Sequence, residues 1–313
     1  MPVDISQTLQ EAFGLSDLQL QRLITRSPHS YKIYTIPKKS GGMRTIAQPA
    51  KETKYLQHWL IANIFSMLPV HDCASAYKSG ASIKLNADAH SKNQYLSKFD
   101  FRDFFPSIKY SDLIVHFERY LNGHLDPKSI KLAARLSCIR IKSDKSLCLS
   151  VGAPSSPVLS NSVMFDFDSQ VYHWCLSRGI TYTRYADDLS FSTNIANLSS
   201  EIQPWIQETL QNILYPKLTL HPEKTIHLSK KFQRRITGVI ISNEGRLSIG
   251  RDRKRLISAL IHRFSLSELQ DQEIHNLQGL LGFAADIEPD FVLRMRKKYD
   301  SKLIDRIFSS RKS

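Results

Sequence analysis

Cysteine is scarce in this 313-residue chain: Cys73, Cys138, Cys148 and Cys175 are the only four, and no two form a C-x-x-C pair. That spacing argues against a zinc site or a disulfide framework, and for reduced thiols in a cytoplasm. Long apolar runs are missing as well. None approaches the ~18 residues of a spanning helix, and the start "MPVDISQTLQEAFGL" lacks the basic-then-apolar profile of a secretory leader. A cytoplasmic protein with no membrane span is therefore expected. No internal repeat or low-complexity linker interrupts the chain, so it reads as one continuous, multi-lobed unit. Acid is the last shortage: 29 Asp and Glu face 43 Lys and Arg, a formal net charge of +14.

Such a balance points to an anionic partner, nucleic acid or an acidic membrane surface, with a solubilising scatter of charge as the bland alternative. From Lys224 to Ser313 the chain carries 19 basic against 10 acidic residues. In "RDRKRLISALIHRF" the basic residues alternate with apolar ones at helical spacing, so the charge sits on folded helices rather than on a tail. With 42% apolar residues the chain can build a sizeable core.

After two short helical segments, "YKIYTIPKKSGGMRTIAQPA" reads as two strands joined by a Gly-Gly turn. "KETKYLQHWLIANIFSML" places Leu56, Leu60, Ile64 and Met67 on one helical face. A strand leads into "YLSKFDFRDFFPSI", and two helices follow, the first from near Ser111 to Gly123. "SSPVLSNSVMFDFDSQVYHWCLSRG" predicts one long helix, with Ser156 as N-cap, Pro157 at its first position and Gly179 just past its end. Beyond residue 193 the pattern predicts a helix around 198–214, strands around 225–230, 235–242 and 246–249, and helices to the end. The order strand, helix, strand pair, helix, strand between 95 and 242 predicts an α+β core, a split βαβ sheet backed by helices, with an all-helical C-terminal lobe.

Within that core "ITYTRYADDLSFS" pairs two strand-like runs about the turn Ala186–Asp188, and Asp100 ends another strand-like run. An adjacent Asp pair alone more often caps a helix or lines an exposed turn. If the two strands are neighbours, however, Asp100 and Asp187 can share divalent cations. Clustered carboxylates repel one another unless a cation sits between them, and Mg²⁺ prefers oxygen ligands together with substrate phosphates. Two such ions about 3.5 to 4 Å apart would activate an attacking hydroxyl and stabilise the leaving oxygen of a phosphoryl transfer.

"YADD" together with "FDFRDFF" and "VGAPSSPVLSN" resembles the polymerase core of reverse transcriptases, and "NADAH" (86–90) and "ITG" (236–238) resemble two signatures of the retron reverse transcriptases of bacteria. The likeness runs from about residue 31 to 300. It implies a right-hand polymerase: N-terminal helices and fingers over 1–94, a split-βαβ palm over 95–245 with a helical fingers insertion about 110–148, and an all-helical, RNA-binding thumb over 246–313. By position, Asp100, Asp187 and Asp188 match the metal-binding catalytic acids, with the backbone of Phe101 beside them, and Lys224 in "LHPEKT" matches the general acid for pyrophosphate departure.

Arg44, assisted by Lys38 or Lys39, matches the fingers' grip on incoming phosphates, which suits a bidentate guanidinium; a solvated hairpin tip is the other reading. The backbone of Phe101, Arg102, Asp103 and Phe104 would face the triphosphate, with Asp103 helping to hold that turn. Phe105 matches an aromatic steric gate against the ribose 2′-hydroxyl, or is an ordinary core phenylalanine. Gly152, with Ala153 and Pro154, matches the loop below the templating base pair; Val151 stands where many relatives have Gln, which removes a side-chain hydrogen bond.

The retron likeness further implies a structured noncoding RNA as template and primer, DNA synthesis from the 2′-hydroxyl of an internal guanosine, and a branched RNA–DNA product. It also implies deoxynucleoside triphosphates as substrates, two Mg²⁺ ions with Mn²⁺ as a possible substitute, and an effector protein in phage defence. Asn86 and His90 would order a loop or contact the RNA; Ile236, Thr237 and Gly238 lie where a primer grip would run; Arg251, Arg253, Lys254 and Arg255 would meet RNA phosphates. Other readings are a group II intron maturase or an abortive-infection reverse transcriptase, both disfavoured by "NADAH", a catalytically idle RNA scaffold, and a metal nuclease.

Overall fold

The computed structural model describes residues 2–38, 41–141 and 143–310, so Lys39 lies outside the described residues. Helix α1 (Ile5–Phe13) begins where the Asp4 carboxylate accepts from the amides of Ser6 and Gln7, and α2 (Asp17–Arg26) opens with a reciprocal Ser16–Gln19 capping box. The hairpin β1 (Tyr31–Pro37) and β2 (Met43–Pro49) follows, then α3 (Lys51–Asn63). Leu56, Leu60 and Ile64 are buried, but Met67 is 45% exposed. The α-helix stops at Asn63, and a single 3-10 turn re-aims the chain before Met67 can join that face.

Next come α4 (Ile83–Asp88), β3 (Tyr95–Asp100), α5 (Phe104–Ser107), α6 (Tyr110–Tyr120), α7 (Pro127–Ser137) and the short pair β4 (Ile139–Arg140) and β5 (Leu147–Cys148). The single long helix expected over 155–179 is two, α8 (Ser155–Val163) and α9 (Phe165–Leu176), broken at Met164. The run Ser160-Asn161-Ser162-Val163 contains only weak helix formers, and the Ser160 hydroxyl donates back to the Pro157 carbonyl, a bond that bends helices.

Past Gly179, which takes the left-handed φ of +65°, run β6 (Ile180–Tyr185), β7 (Asp188–Thr193), α10 (Ser199–Asn212) and β8 (Ile226–Leu228). The strand expected over 235–242 also divides. β9 (Arg234–Ile236) and β10 (Val239–Ile241) fold back on each other at Thr237 and Gly238, whose φ values of 46° and 86° form a two-residue hairpin turn, and β11 (Leu247–Ser248) completes a small sheet. Helices α11 (Arg251–Ser265), α12 (Asp271–Ile287), α13 (Pro289–Tyr299) and α14 (Ser301–Ser309) finish the fold. Among the described residues no helix is long and apolar enough to cross a membrane.

The central sheet has the order β6-β7-β3-β8, antiparallel throughout, which is the split-βαβ arrangement. Strand alternation gives it two unlike faces. Tyr182, Leu189, Phe191 and Phe99 enter the main core. Asp100, Asp188, Lys98, Ser190, Thr183, Ser192, Thr181 and Leu96 share the other face, with the acids at one end. A second core joins α11–α14 to the β9–β11 sheet and reaches the central sheet through Leu96 and Ala87.

Candidate active site

Strands β3 and β7 pair so that Asp100 stands directly across from Asp188, and Tyr185 faces Asp188 from the other side. Ala186, at φ 57°, turns the hairpin, and the Phe101 amide donates to the Asp187 carbonyl at 3.2 Å, joining the two acid-bearing ends. Lys224 comes from the short turn before β8 and puts Nζ 2.5 Å from Asp100 Oδ1. Burial pushes the Asp188 carboxyl up to about 6; Lys98 opposes the rise, and the neighbouring Asp187 and Asp100 reinforce it, Asp100 through a side-chain hydrogen bond. Asp187 is raised by burial and by Asp100, while Lys224 and Arg44 pull it down.

Among the described residues, no three His, Cys, Asp or Glu side chains converge closely enough to hold an ion as they stand. The donor chemistry nevertheless fits a hard divalent cation. All three acids offer oxygen, they crowd one sheet end at mutual cost, and one of them already holds an ammonium in close contact.

A cavity of about 380 Å³ is lined by Tyr77, Phe105, Val151, Gly152 and Pro154, with Lys54 and His58 of α3. Tyr77 ties it to the acids: burial raises its phenol, the Asp187 charge adds to the rise and Arg44 opposes it. Phe105 meets Phe104 edge-on at 5.4 Å and is partly buried while lining this space, so it is both packed and presented. Gly152 has φ +115°, and a Cβ there would lie 2.9 Å from Ile46 Cγ2 and 3.1 Å from the Ala47 carbonyl oxygen. Only glycine lets this loop lie against β2, where the Ala47 amide donates to the Val151 carbonyl at 2.8 Å.

Arg44 stands opposite Ile36 near the tip of the first hairpin and is exposed, as is Lys38. Phe101 and Phe104 stack on one another at 5.6 Å in the core, so their rings face away from solvent. The Arg102 amide is committed to the Thr219 carbonyl at 2.9 Å, and Asp103 holds the turn in a left-handed conformation at φ 45°.

Sequence reasoning missed the group beneath the turn. Arg184 is fully buried and pairs with Asp168 at 2.6 Å; its Nη1 also donates to Asn161 Oδ1 and to the Ala186 carbonyl, each at 3.1 Å. Tyr182 donates to Asp168 at 2.8 Å, Asn161 donates to the Ala76 carbonyl at 2.7 Å, and the Ser75 amide donates to the Arg184 carbonyl at 2.8 Å. One guanidinium thus ties the turn before Asp187 to α8, α9 and the segment ahead of Tyr77. The available signal was parity: Arg184 shares its strand face with the core residues Ile180 and Tyr182. Tyr77 carried no such signal, since its half-exposed position depends on that tertiary anchoring.

The residues expected to meet RNA divide. Asn86 and His90 are 2% and 1% exposed, and both His90 ring nitrogens are engaged, at 2.7 Å by Ser192 and 2.7 Å by Thr183. Burial pushes that imidazole down to about 3. Neither side chain is offered to a partner. Ile236 is fully buried in the second core, and Thr237 and Gly238 form the hairpin turn. Arg253 is drawn inward, donating to the Gly238 carbonyl at 2.7 Å and lying over the Phe283 ring, and Lys254 pairs with Glu288 at 2.6 Å. Arg251 and Arg255 remain exposed.

A family model described as "Reverse transcriptase (RNA-dependent DNA polymerase)" matches residues 36–241. The chain is 37% identical to the Retron Ec83 reverse transcriptase of Escherichia coli over 98% of both chains. It is 34% identical to the Retron Ec73 reverse transcriptase of the same organism, over 88% of this chain and 89% of that one. It is 28% identical to the Retron Mx65 reverse transcriptase of Myxococcus xanthus, over 94% and 70%. Among solved structures, telomerase from Candida albicans with a fragment of telomeric RNA is similar at TM-score 0.49 and 12% identity, over 91% of this chain and 58% of that one.

Proposed function

Because the chain belongs to the reverse transcriptase family, and within it to the retron enzymes, we propose that this RNA-directed DNA polymerase copies a structured noncoding RNA, starting from a 2′-hydroxyl of that RNA. The product is a branched RNA–DNA molecule. One observation carries the chemical part of the reading: Asp100 and Asp188 are direct partners across the sheet, with Asp187 in the adjoining turn.

In this reading Asp100, Asp187 and Asp188 hold two divalent ions, Mg²⁺ or in its place Mn²⁺, which when bound polarise the attacking hydroxyl and the leaving oxygen. Lys224, beside Asp100, supplies the proton to departing pyrophosphate. Arg44 and Lys38 meet the triphosphate of the incoming deoxynucleotide. Phe105 closes the cavity to a 2′-hydroxyl on its sugar, and Gly152 keeps the floor of that cavity thin. Arg251 and Arg255 receive RNA phosphates, a role suited to exposed guanidinium groups on a helix. A part in phage defence beside an effector protein, in the cytoplasm, completes the reading and rests on the family likeness.

Primer extension with the co-purifying RNA, deoxynucleoside triphosphates and Mg²⁺ tests it. Incorporation that vanishes in the Asp187→Asn, Asp188→Asn double variant is the expected result. Degradation of the RNA would indicate a nuclease instead, and neither outcome a scaffold.

A further inference from the structure

The string at 86–90 plays no part in the chemistry above. We propose that residues 86–93 form an internal bracket that positions the β6–β7 hairpin, and through it Asp187 and Asp188, against the root of the C-terminal helical lobe. The inference rests on the reading of those acids as catalytic.

Strand parity sets the stage. Thr181, Thr183 and Ser192 lie on the same sheet face as Asp188, farther from the turn. A row of hydroxyls on a sheet face is ordinarily left to water, yet here each is taken by the bracket. His90 reaches Ser192 and Thr183, the Thr183 hydroxyl donates to Asn86 Oδ1 at 2.6 Å, and Asn93 Nδ2 donates to Thr181 at 3.0 Å and to Ser192 at 2.7 Å. Asn86 lies in α4 and His90 in the turn just past its C-cap, Ala89, and their hydrogen bonds bring both side chains to this face. Their burial leaves no surface on either for an external partner.

The other side of the segment is fastened just as closely. Ala87 packs in the second core with Ile236 and Val239. Arg234, 1% exposed and with no carboxylate paired to it among the described residues, donates to the Asn93 carbonyl and, at 2.6 Å, to the Ser242 carbonyl. Gly245 lies so close that a Cβ would stand 3.0 Å from the Ser91 carbonyl oxygen. The bracket therefore grips the catalytic hairpin with one side and the β9–β11 sheet with the other. A twist of the hairpin about its own axis would move Asp188 away from Asp100, and a misplacement of about 1 Å can lower a rate on the order of 100-fold.

Three variants test the bracket in the full-length protein: His90→Ala, Thr183→Val, which removes the shared hydroxyl at nearly constant shape, and Thr183→Ser, which keeps it. The expected result is a kcat at saturating RNA and nucleotide that falls on the order of 10- to 100-fold in the first two. Their half-saturating Mg²⁺ rises, their RNA Kd stays within about twofold of the parent, and Thr183→Ser retains activity. Weakened RNA binding with parental kcat would overturn the proposal in favour of direct contact, and so would a Thr183→Val protein with parental kcat. Amide hydrogen exchange over residues 180–193 reads the bracket without any activity. Faster exchange in His90→Ala and Thr183→Val is expected, and unchanged exchange in both contradicts the bracket. The polymerase reading fails separately, when the parent protein incorporates nothing.

Discussion

At Arg184 the chain buries a full positive charge, and everything around it is arranged to make that tolerable: Asp168 neutralises it, Tyr182 and Asn161 take up the remaining bonds, and the Ala186 carbonyl completes the shell. Breaking such a pair by removing one charge costs about 3 to 5 kcal/mol, because the other is left buried alone. Asp168→Asn should accordingly lower unfolding free energy by about 3 kcal/mol in urea denaturation. Replacing both partners, as Asp168→Leu with Arg184→Met, should cost less than that single change. Individual residues were unevenly legible in the sequence. That Asp100 and Asp188 would meet was legible, because both lie at ends of strand-like runs that pair as neighbours; their metal role was implied only by the family motifs. For Asn86 and His90 the string left ordering a loop and contacting RNA equally open, because nothing in it says which side of the segment is covered. For Arg253 and Lys254, helical spacing gave the element, but their inward partners, Gly238 and Glu288, lie far along the chain.

Among elements, the loop between β5 and α8 shows how a backbone requirement becomes a functional one. A side chain at position 152 would meet both β2 and an unfavourable φ of +115°, so Gly152→Ala should push the loop away from Ala47 and into the neighbouring cavity. The expected outcome is a KM for deoxynucleotide raised about tenfold, with melting lowered by a few degrees, read by steady-state incorporation and thermal unfolding. The order strand, helix, strand pair, helix, strand that makes the split-βαβ sheet was legible from periodicity and punctuation; the short α4, α5 and the β4–β5 pair were not. Boundaries were lost where local chemistry overrode the pattern. The Ser-rich run before Met164 breaks what Pro157 and Gly179 bracket as one helix, and Thr237-Gly238 turns a strand whose apolar residues look continuous.

For the molecule as a whole, charge and protons set two expectations. His90 and His116 are both buried, and burial pushes both down to about 3; His116 is held by Ser162 at 2.6 Å and Tyr215 at 3.1 Å. Above about pH 6.5 neither state takes up a proton at these rings. Below it the unfolded chain does and the folded one does not, so stability is lost as pH falls from there toward 3. Between pH 7.5 and 5.0 the protein should lose about 2 kcal/mol more than its His116→Gln variant in urea titrations. The excess of base in the last third, exposed at Arg251 and Arg255, should govern RNA affinity. Charge reversal at both should weaken binding and reduce the slope of log Kd against log salt by about 2, in filter-binding series across salt.

The most direct test of the whole account follows the first nucleotide added. The protein is incubated with its co-purifying RNA, Mg²⁺ and one labelled deoxynucleoside triphosphate, and the product is treated with an enzyme that cleaves only 2′,5′-phosphodiester bonds. Label that stays joined to RNA until that treatment, and is released by it, is the predicted result. Label found only in linear DNA joined through a 3′-hydroxyl, or no label at all, would contradict it.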